Sequence, residues 1–285
     1  MLHKLKIVLE MIKFEHTLFA LPFALIGMVL AADGWPSGRV FGWILVAMVG
    51  ARSAAMGFNR LVDRQIDAAN PRTASRALPA GLVSPGFVAL FVLASLGLLV
   101  LAAWRLNPMC VKLVAVAIPV LLGYSFTKRF TWVSHLVLGL ALGGAPLGAW
   151  IAVTGALAPT PFLITFVVLT WVAGFDVLYA LQDEAFDRAH GLHSLPARLG
   201  AARAIGVARG LHVGAAVAFA AFAALQHGGW GLWTGVLAAA VLLVWQHSLI
   251  APGRLERLDT AFFTANGALS LVMLALYVLD MMIAA

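Results

Sequence analysis

Apolar stretches of about twenty residues alternate with short polar connections along almost the whole chain. Nine stretches have the length and composition of membrane-spanning helices, at roughly 17–33, 40–60, 85–104, 109–127, 132–153, 160–182, 204–226, 229–250 and 259–282. The pattern predicts an all-α membrane protein forming a single transmembrane domain over residues 1–285. Lys4, Lys6 and Lys13 precede the first run and resemble the basic start of a signal peptide. No small-residue cleavage site followed by a soluble domain comes after it, so the run reads as a retained first span.

Composition supports this reading. The chain is 62% apolar and only 11% charged, against about 25% charged in soluble domains. The single cysteine, Cys110, lies in an apolar run and excludes a disulfide framework or a thiolate metal site. A net charge of +7 invites a nucleic-acid reading, but the basic residues are scattered over short loops, with no soluble domain to display them. Topology accounts for them better. With Arg60 counted at the end of span 2, the N-terminal segment and the connections after spans 2, 4, 6 and 8 hold 14 of the 19 Lys and Arg, leaving Arg39, Arg105 and Lys112 on the other face and Arg52 and Arg209 within spans. By the positive-inside rule the N-terminus and those connections are cytoplasmic, in a cell (inner) membrane protein.

Against this background the acidic residues stand out, because there are only 12. The stretch "NRLVDRQID" places Asn59, Asp63 and Asp67 four residues apart at the end of span 2, and "DEAFD" repeats the spacing with Asp183 and Asp187 at the end of span 6. Residues four apart share a helix face, so each motif gathers its oxygens on one side. Solvated helix ends are the plain alternative for a single such residue. Two spaced pairs on one membrane face, beside basic residues, point instead to a function. Clustered carboxylates repel unless a cation neutralises them, and hard oxygen donors favour Mg²⁺, which usually takes one or two carboxylates together with substrate phosphates. Two such clusters predict a metal-bridged diphosphate.

Other residues fit the same chemistry. Lys128 ends span 4 with Tyr124 one turn earlier, and Arg72, Arg76, Arg188 and His193 occupy the two longest connections, where they can close over phosphates. Asp176 lies two turns deeper than Asp183. Arg52 lies two turns deeper than Asn59, where either a substrate carboxylate or Asp176 would balance it. The segments "NPRTASRALPAG" and "RAHGLHSLPARLG" echo each other and read as a weak internal repeat. A cation-coupled transporter is the competing class, but transporter sites favour broken helices near the bilayer midplane.

Three motifs in order, N-x-x-x-D-x-x-x-D at Asn59–Asp67, Y-x-x-x-K at Tyr124–Lys128 and D-x-x-x-D at Asp183–Asp187, together resemble the UbiA superfamily of intramembrane aromatic prenyltransferases over essentially the whole chain. The segments "MIKFEHTLFALPFALIGM", "NRLVDRQIDAANPRTASRALPAG" and "YALQDEAFDRAHGLHSLPARLG" are most similar to its bacterial 4-hydroxybenzoate polyprenyltransferase group. The resemblance implies nine transmembrane helices around a central cavity with cytoplasmic cap loops. It implies Mg²⁺ as cofactor, and as partners polyprenyl diphosphate, an aromatic acid acceptor and the lipid bilayer. Asp63, Asp67, Asp183 and Asp187 would hold the metal, Asn59 and Lys128 would serve the diphosphate, and Asp176 is a candidate base. The implied product belongs to quinone biosynthesis, ubiquinone or menaquinone. The acceptor would be 4-hydroxybenzoate, whose carboxylate Arg52 would meet, or a dihydroxynaphthoate. Glu184, Ala185 and Phe186 stand where many ubiquinone-pathway enzymes carry more aspartates, a difference that bears on the acceptor alone.

Overall fold

In a computed structural model, which describes residues 7–8, 10–12 and 17–284, the chain is helical almost throughout. Lys4, Lys6 and residues 13–16 lie outside the described residues. Among the described residues, eight helices are long and apolar enough to cross a membrane, and a shorter apolar helix, Phe19–Ala32, falls where the first span was predicted. The long helices are α1 (Thr17–Ala32), α2 (Gly38–Val62), α4 (Pro85–Leu106), α5 (Pro108–Thr127), α6 (Ser134–Thr154), α7 (Pro159–Ala180), α10 (Ala201–Leu225), α11 (Trp230–Ser248) and α12 (Ala265–Ala284). Three short helices punctuate the polar connections: α3 (Arg64–Ala69), α8 (Glu184–Ala189) and α9 (Leu195–Leu199). The sequence pattern predicts a helix end through each aspartate motif but no separate short helices; each of the three is too short and too polar for a periodicity of its own to show.

The chain divides into two compact units, Met1–Thr17 with Ser37–Phe126, and Leu18–Pro36 with Thr127–Ala285. In the first unit α2 packs against α4 through glycine. A Cβ on Gly50 would sit 2.8 Å from the Ser95 carbonyl oxygen, so only hydrogen there lets the backbones meet. Val8, Ile12, Leu78, Val83 and Val88 form an apolar cluster beneath the connection after α3.

In the second unit α6 meets α7 the same way, with Gly139 against the Leu169 carbonyl and Gly143 against the Thr165 carbonyl. The α7 helix is the most enclosed, burying Trp171, Val172, Ala173, Phe175, Val177 and Leu178. Trp171 donates from Nε1 to Asn266 Oδ1 at 2.9 Å. The continuous helix predicted from residue 259 instead opens with a π turn, Thr260–Thr264. Side chains explain the change. Gln246 Nε2 donates to the Ala261 carbonyl at 2.7 Å and Asn266 Nδ2 to the Phe262 carbonyl at 2.7 Å, occupying acceptors that regular helix bonds would use. At the other end of this hairpin, Asp280 of α12 accepts the Gly229 and Gly231 N–H groups, each at 2.9 Å, and so caps the start of α11.

Candidate active site

The first aspartate motif lies wholly in the first unit. The helix breaks at Asp63, which ends α2 and heads α3 with φ −88° and ψ 3°. This corrects the expectation of one unbroken helix end, yet the four-residue ladder survives the break. Asp63 N–H donates to the Asn59 carbonyl at 2.9 Å and Asp67 N–H to the Asp63 carbonyl at 2.7 Å. The three side chains therefore stay in line, and Asn59 Nδ2 donates to Asp63 Oδ2 at 3.0 Å.

Burial separates the two readings of these residues. Asp63 is 2% exposed and Asp67 4%, so neither is a solvated helix end. Charge balance comes from arginines: Arg76 Nη1 sits 2.7 Å from Asp67 Oδ1 and Arg60 Nη1 3.9 Å from Asp67 Oδ2. Buried Arg60 also donates from Nη1 to Asn59 Oδ1 and from Nε to the Met11 carbonyl, both at 3.4 Å. The connection folds back on the motif, with Thr73 Oγ1 donating to the Asp67 carbonyl at 2.9 Å. Arg76 thus joins the motif, whereas Arg72 is exposed, its backbone N–H on Asn70 Oδ1 at 3.0 Å. Tyr124 reaches α2, its hydroxyl 3.9 Å from Met56 Sδ, three residues before Asn59. Arg52 is half-buried on α2.

The second motif belongs to the second unit. There α7 gives way to a 3₁₀ turn, Leu181–Asp183, and then to α8, so Asp183 stands at the N-cap position of α8 without a side-chain capping bond, and Asp187 lies in its first turn, where the helix dipole favours a carboxylate. The following loop is pinned at several points. Leu192 N–H donates to the Asp187 carbonyl at 2.8 Å and His193 N–H to the Lys128 carbonyl at 2.7 Å. The Ser194 side chain hydrogen-bonds Asp187 and caps α9 by accepting from Ala197 N–H at 3.3 Å. Arg188 braces this loop, with Nη2 2.8 Å from Glu184 Oε1 and Nε donating to the Ala197 carbonyl at 3.3 Å. The His193 side chain is exposed.

Asp176 has a partner that sequence reasoning missed: its Oδ2 lies 2.7 Å from Nδ1 of buried His135, at the start of α6. Arg60 also escapes the sequence reading, where it counts only as one more topology-setting charge. Its one signal in the sequence is its place inside the motif, next to Asn59.

Among the described residues no group of three or more His, Cys, Asp or Glu converges as a closed metal cage. Each motif offers two carboxylates, and Asp67 Oδ2 is buried without a hydrogen bond. That donor set suits Mg²⁺, which completes its coordination with waters and substrate phosphate oxygens.

A family profile described as the UbiA prenyltransferase family matches residues 20–273. A relative named 4-hydroxybenzoate octaprenyltransferase from Alkalilimnicola ehrlichii is 34% identical over 257 residues, 88% of this chain and 85% of its own. Another of that name from Nitrosomonas europaea is 32% identical over 242 residues, 84% of this chain and 82% of its own. Among solved structures, a UbiA homolog from Aeropyrum pernix K1 superposes with a TM-score of 0.86 at 32% identity, covering 94% of this chain and 98% of that one. A UbiA homolog from Archaeoglobus fulgidus bound to DMAPP and Mg²⁺ shares the fold, with a TM-score of 0.77 at 19% identity and coverage of 97% of this chain and 99% of that one.

Proposed function

The chain belongs to the UbiA prenyltransferase family, and from that premise we propose that it transfers a polyprenyl group from an all-trans polyprenyl diphosphate to the ring of 4-hydroxybenzoate. The burial of Asp63 and Asp67 beside Asn59, Arg60 and Arg76 carries the proposal. Buried carboxylates that are costly to keep in a membrane protein are explained by a cation and a polyanion that they serve. The named relatives support the acceptor, and the positive-inside pattern supports a multi-pass inner-membrane protein with its N-terminus cytoplasmic.

In this reading Asp63 and Asp67, with Asn59, would hold Mg²⁺ in the first unit, and Asp183 and Asp187 would do so in the second. Such an ion, when bound, would offset diphosphate charge and make it a better leaving group. Arg76, Tyr124 and Arg72 in the first unit, and Lys128, Arg188 and His193 in the second, are the residues that would offset phosphate charge or line the prenyl diphosphate. The allylic C–O bond breaks, positive charge develops on the prenyl carbon, and the ring carbon ortho to the phenol hydroxyl bonds to it. The ring then loses its proton to Asp176, and the electron pair of that C–H bond restores aromaticity. Arg52 pairs with the acceptor carboxylate. Exclusion of water protects the developing cation from capture.

The test is prenylation of 4-hydroxybenzoate by purified protein in Mg²⁺ with one polyprenyl diphosphate, the product identified by mass. Asp63→Ala and Asp187→Ala should each abolish the product while leaving the protein folded. Full turnover by either variant, or by the unaltered protein after chelation of divalent metal, overturns the site assignment.

A further inference from the structure

His135 bridges two elements with the two nitrogens of one ring. Nδ1 lies 2.7 Å from Asp176 Oδ2 on α7, and Nε2 accepts the Leu195 N–H at 3.3 Å. These partners fix its protonation. A backbone N–H can only donate, so Nε2 must be bare, and the remaining proton must sit on Nδ1 facing the carboxylate. The Leu195 N–H is the first of α9, a group with no acceptor inside its own helix. His135 supplies that acceptor, while Ser194 caps Ala197 and hydrogen-bonds Asp187.

We propose that His135 is a positioning residue for prenyl transfer: as the neutral Nδ1–H tautomer it orients Asp176 with one nitrogen and latches the loop behind Asp187 with the other. The inference rests on the reading of Asp176 as the group that takes the ring proton. Oδ2 is committed to His135, which leaves Oδ1 to receive that proton as the aryl C–H bond breaks. The latch acts on the diphosphate side, because the loop it holds carries the Ser194 contact to Asp187 and the His193 bond to the Lys128 carbonyl.

Two substitutions separate the two bonds. In His135→Asn the amide nitrogen replaces Nδ1 and keeps a donor for Asp176, but nothing accepts from Leu195. In His135→Gln the longer amide reaches the Nε2 position and can accept from Leu195, but the donor to Asp176 is lost. The expected result is a split. His135→Asn should raise KM for the prenyl diphosphate about five- to tenfold with kcat preserved, and should speed amide exchange at residues 192–195. His135→Gln should lower kcat about tenfold or more with that KM and the exchange unchanged. Asp176→Asn, which still accepts from Nδ1–H and so preserves the fold, should lose kcat, and adding His135→Gln to it should cost little more.

If Asp176→Asn keeps full kcat, the base reading fails and this inference with it. If Asp176→Asn loses kcat but His135→Gln does not, the inference alone fails. Equal losses in kcat and KM for both His135 variants, with a common drop in melting temperature, would mark His135 as merely structural and also overturn it.

Discussion

Arg60→Met tests whether the first aspartate motif depends on a charge that its own pattern does not include. Methionine keeps much of the side-chain length and removes the guanidinium. The arginine makes two hydrogen bonds, to Asn59 Oδ1 and the Met11 carbonyl, both at 3.4 Å and thus at the long end. Each contributes about 1 kcal/mol. Its charge lies 3.9 Å from Asp67 Oδ2, where an effective dielectric of about 20 gives about 4 kcal/mol of attraction before desolvation. Arg76 already neutralises the same carboxylate at 2.7 Å and repels Arg60, so the net loss falls below that sum. Breaking a buried pair from one side typically costs about 3–5 kcal/mol, and the lower end is expected here. About 3 kcal/mol is a change of more than about a hundredfold in an equilibrium constant. The assay is thermal unfolding in detergent for Arg60→Met, Asp67→Asn and the double variant, with prenyl diphosphate affinity measured alongside. The two substitutions should couple by about 1 kcal/mol or more. Strict additivity, or an unchanged melting temperature in Arg60→Met, refutes the reasoning.

Arg52→Ala should weaken use of 4-hydroxybenzoate by about 30-fold or more while sparing prenyl diphosphate binding, read from separate KM values. Arg52→Lys should recover little of it, since an ammonium cannot reproduce a bidentate fork. Gly139→Ala forces a methyl group onto the Leu169 carbonyl and should destabilise the fold by about 1–3 kcal/mol, whereas Gly144→Ala, with nothing within 4 Å, should leave the melting temperature nearly unchanged. Cysteines introduced at Ser75 and Ala189, both exposed, in a Cys110→Ser background should react with an impermeant thiol reagent only from the cytoplasmic side; reaction of either from outside contradicts the assigned topology.

The long helices were legible because each apolar run is its own signal. The prediction of a span at 85–104 meets a helix at Pro85–Leu106, and 109–127 meets Pro108–Thr127. The spacing of Asn59, Asp63 and Asp67 likewise foretold their alignment, since a helix ladder is local and tolerates the break at Asp63. What escaped were meetings between distant positions. Nothing in the sequence says that His135 and Asp176, 41 residues apart, meet at 2.7 Å, or that Arg60 reaches back to the Met11 carbonyl, 49 residues away. The echo between the two long connections also misled in part. Residues 71–82 fold as successive turns while Leu195–Leu199 is a helix, although Gly81 and Gly200 both close their stretches with positive φ.

The cap that Asp280 places on α11 sets an order of events during synthesis. Gly229 and Gly231 leave the ribosome some fifty residues ahead of the carboxylate that will satisfy them, so α11 must enter the bilayer with its first turn unfinished. Until α12 arrives, water or lipid headgroups have to hold those two N–H groups, which keeps that end of α11 at the interface. α12 therefore completes α11 as well as itself.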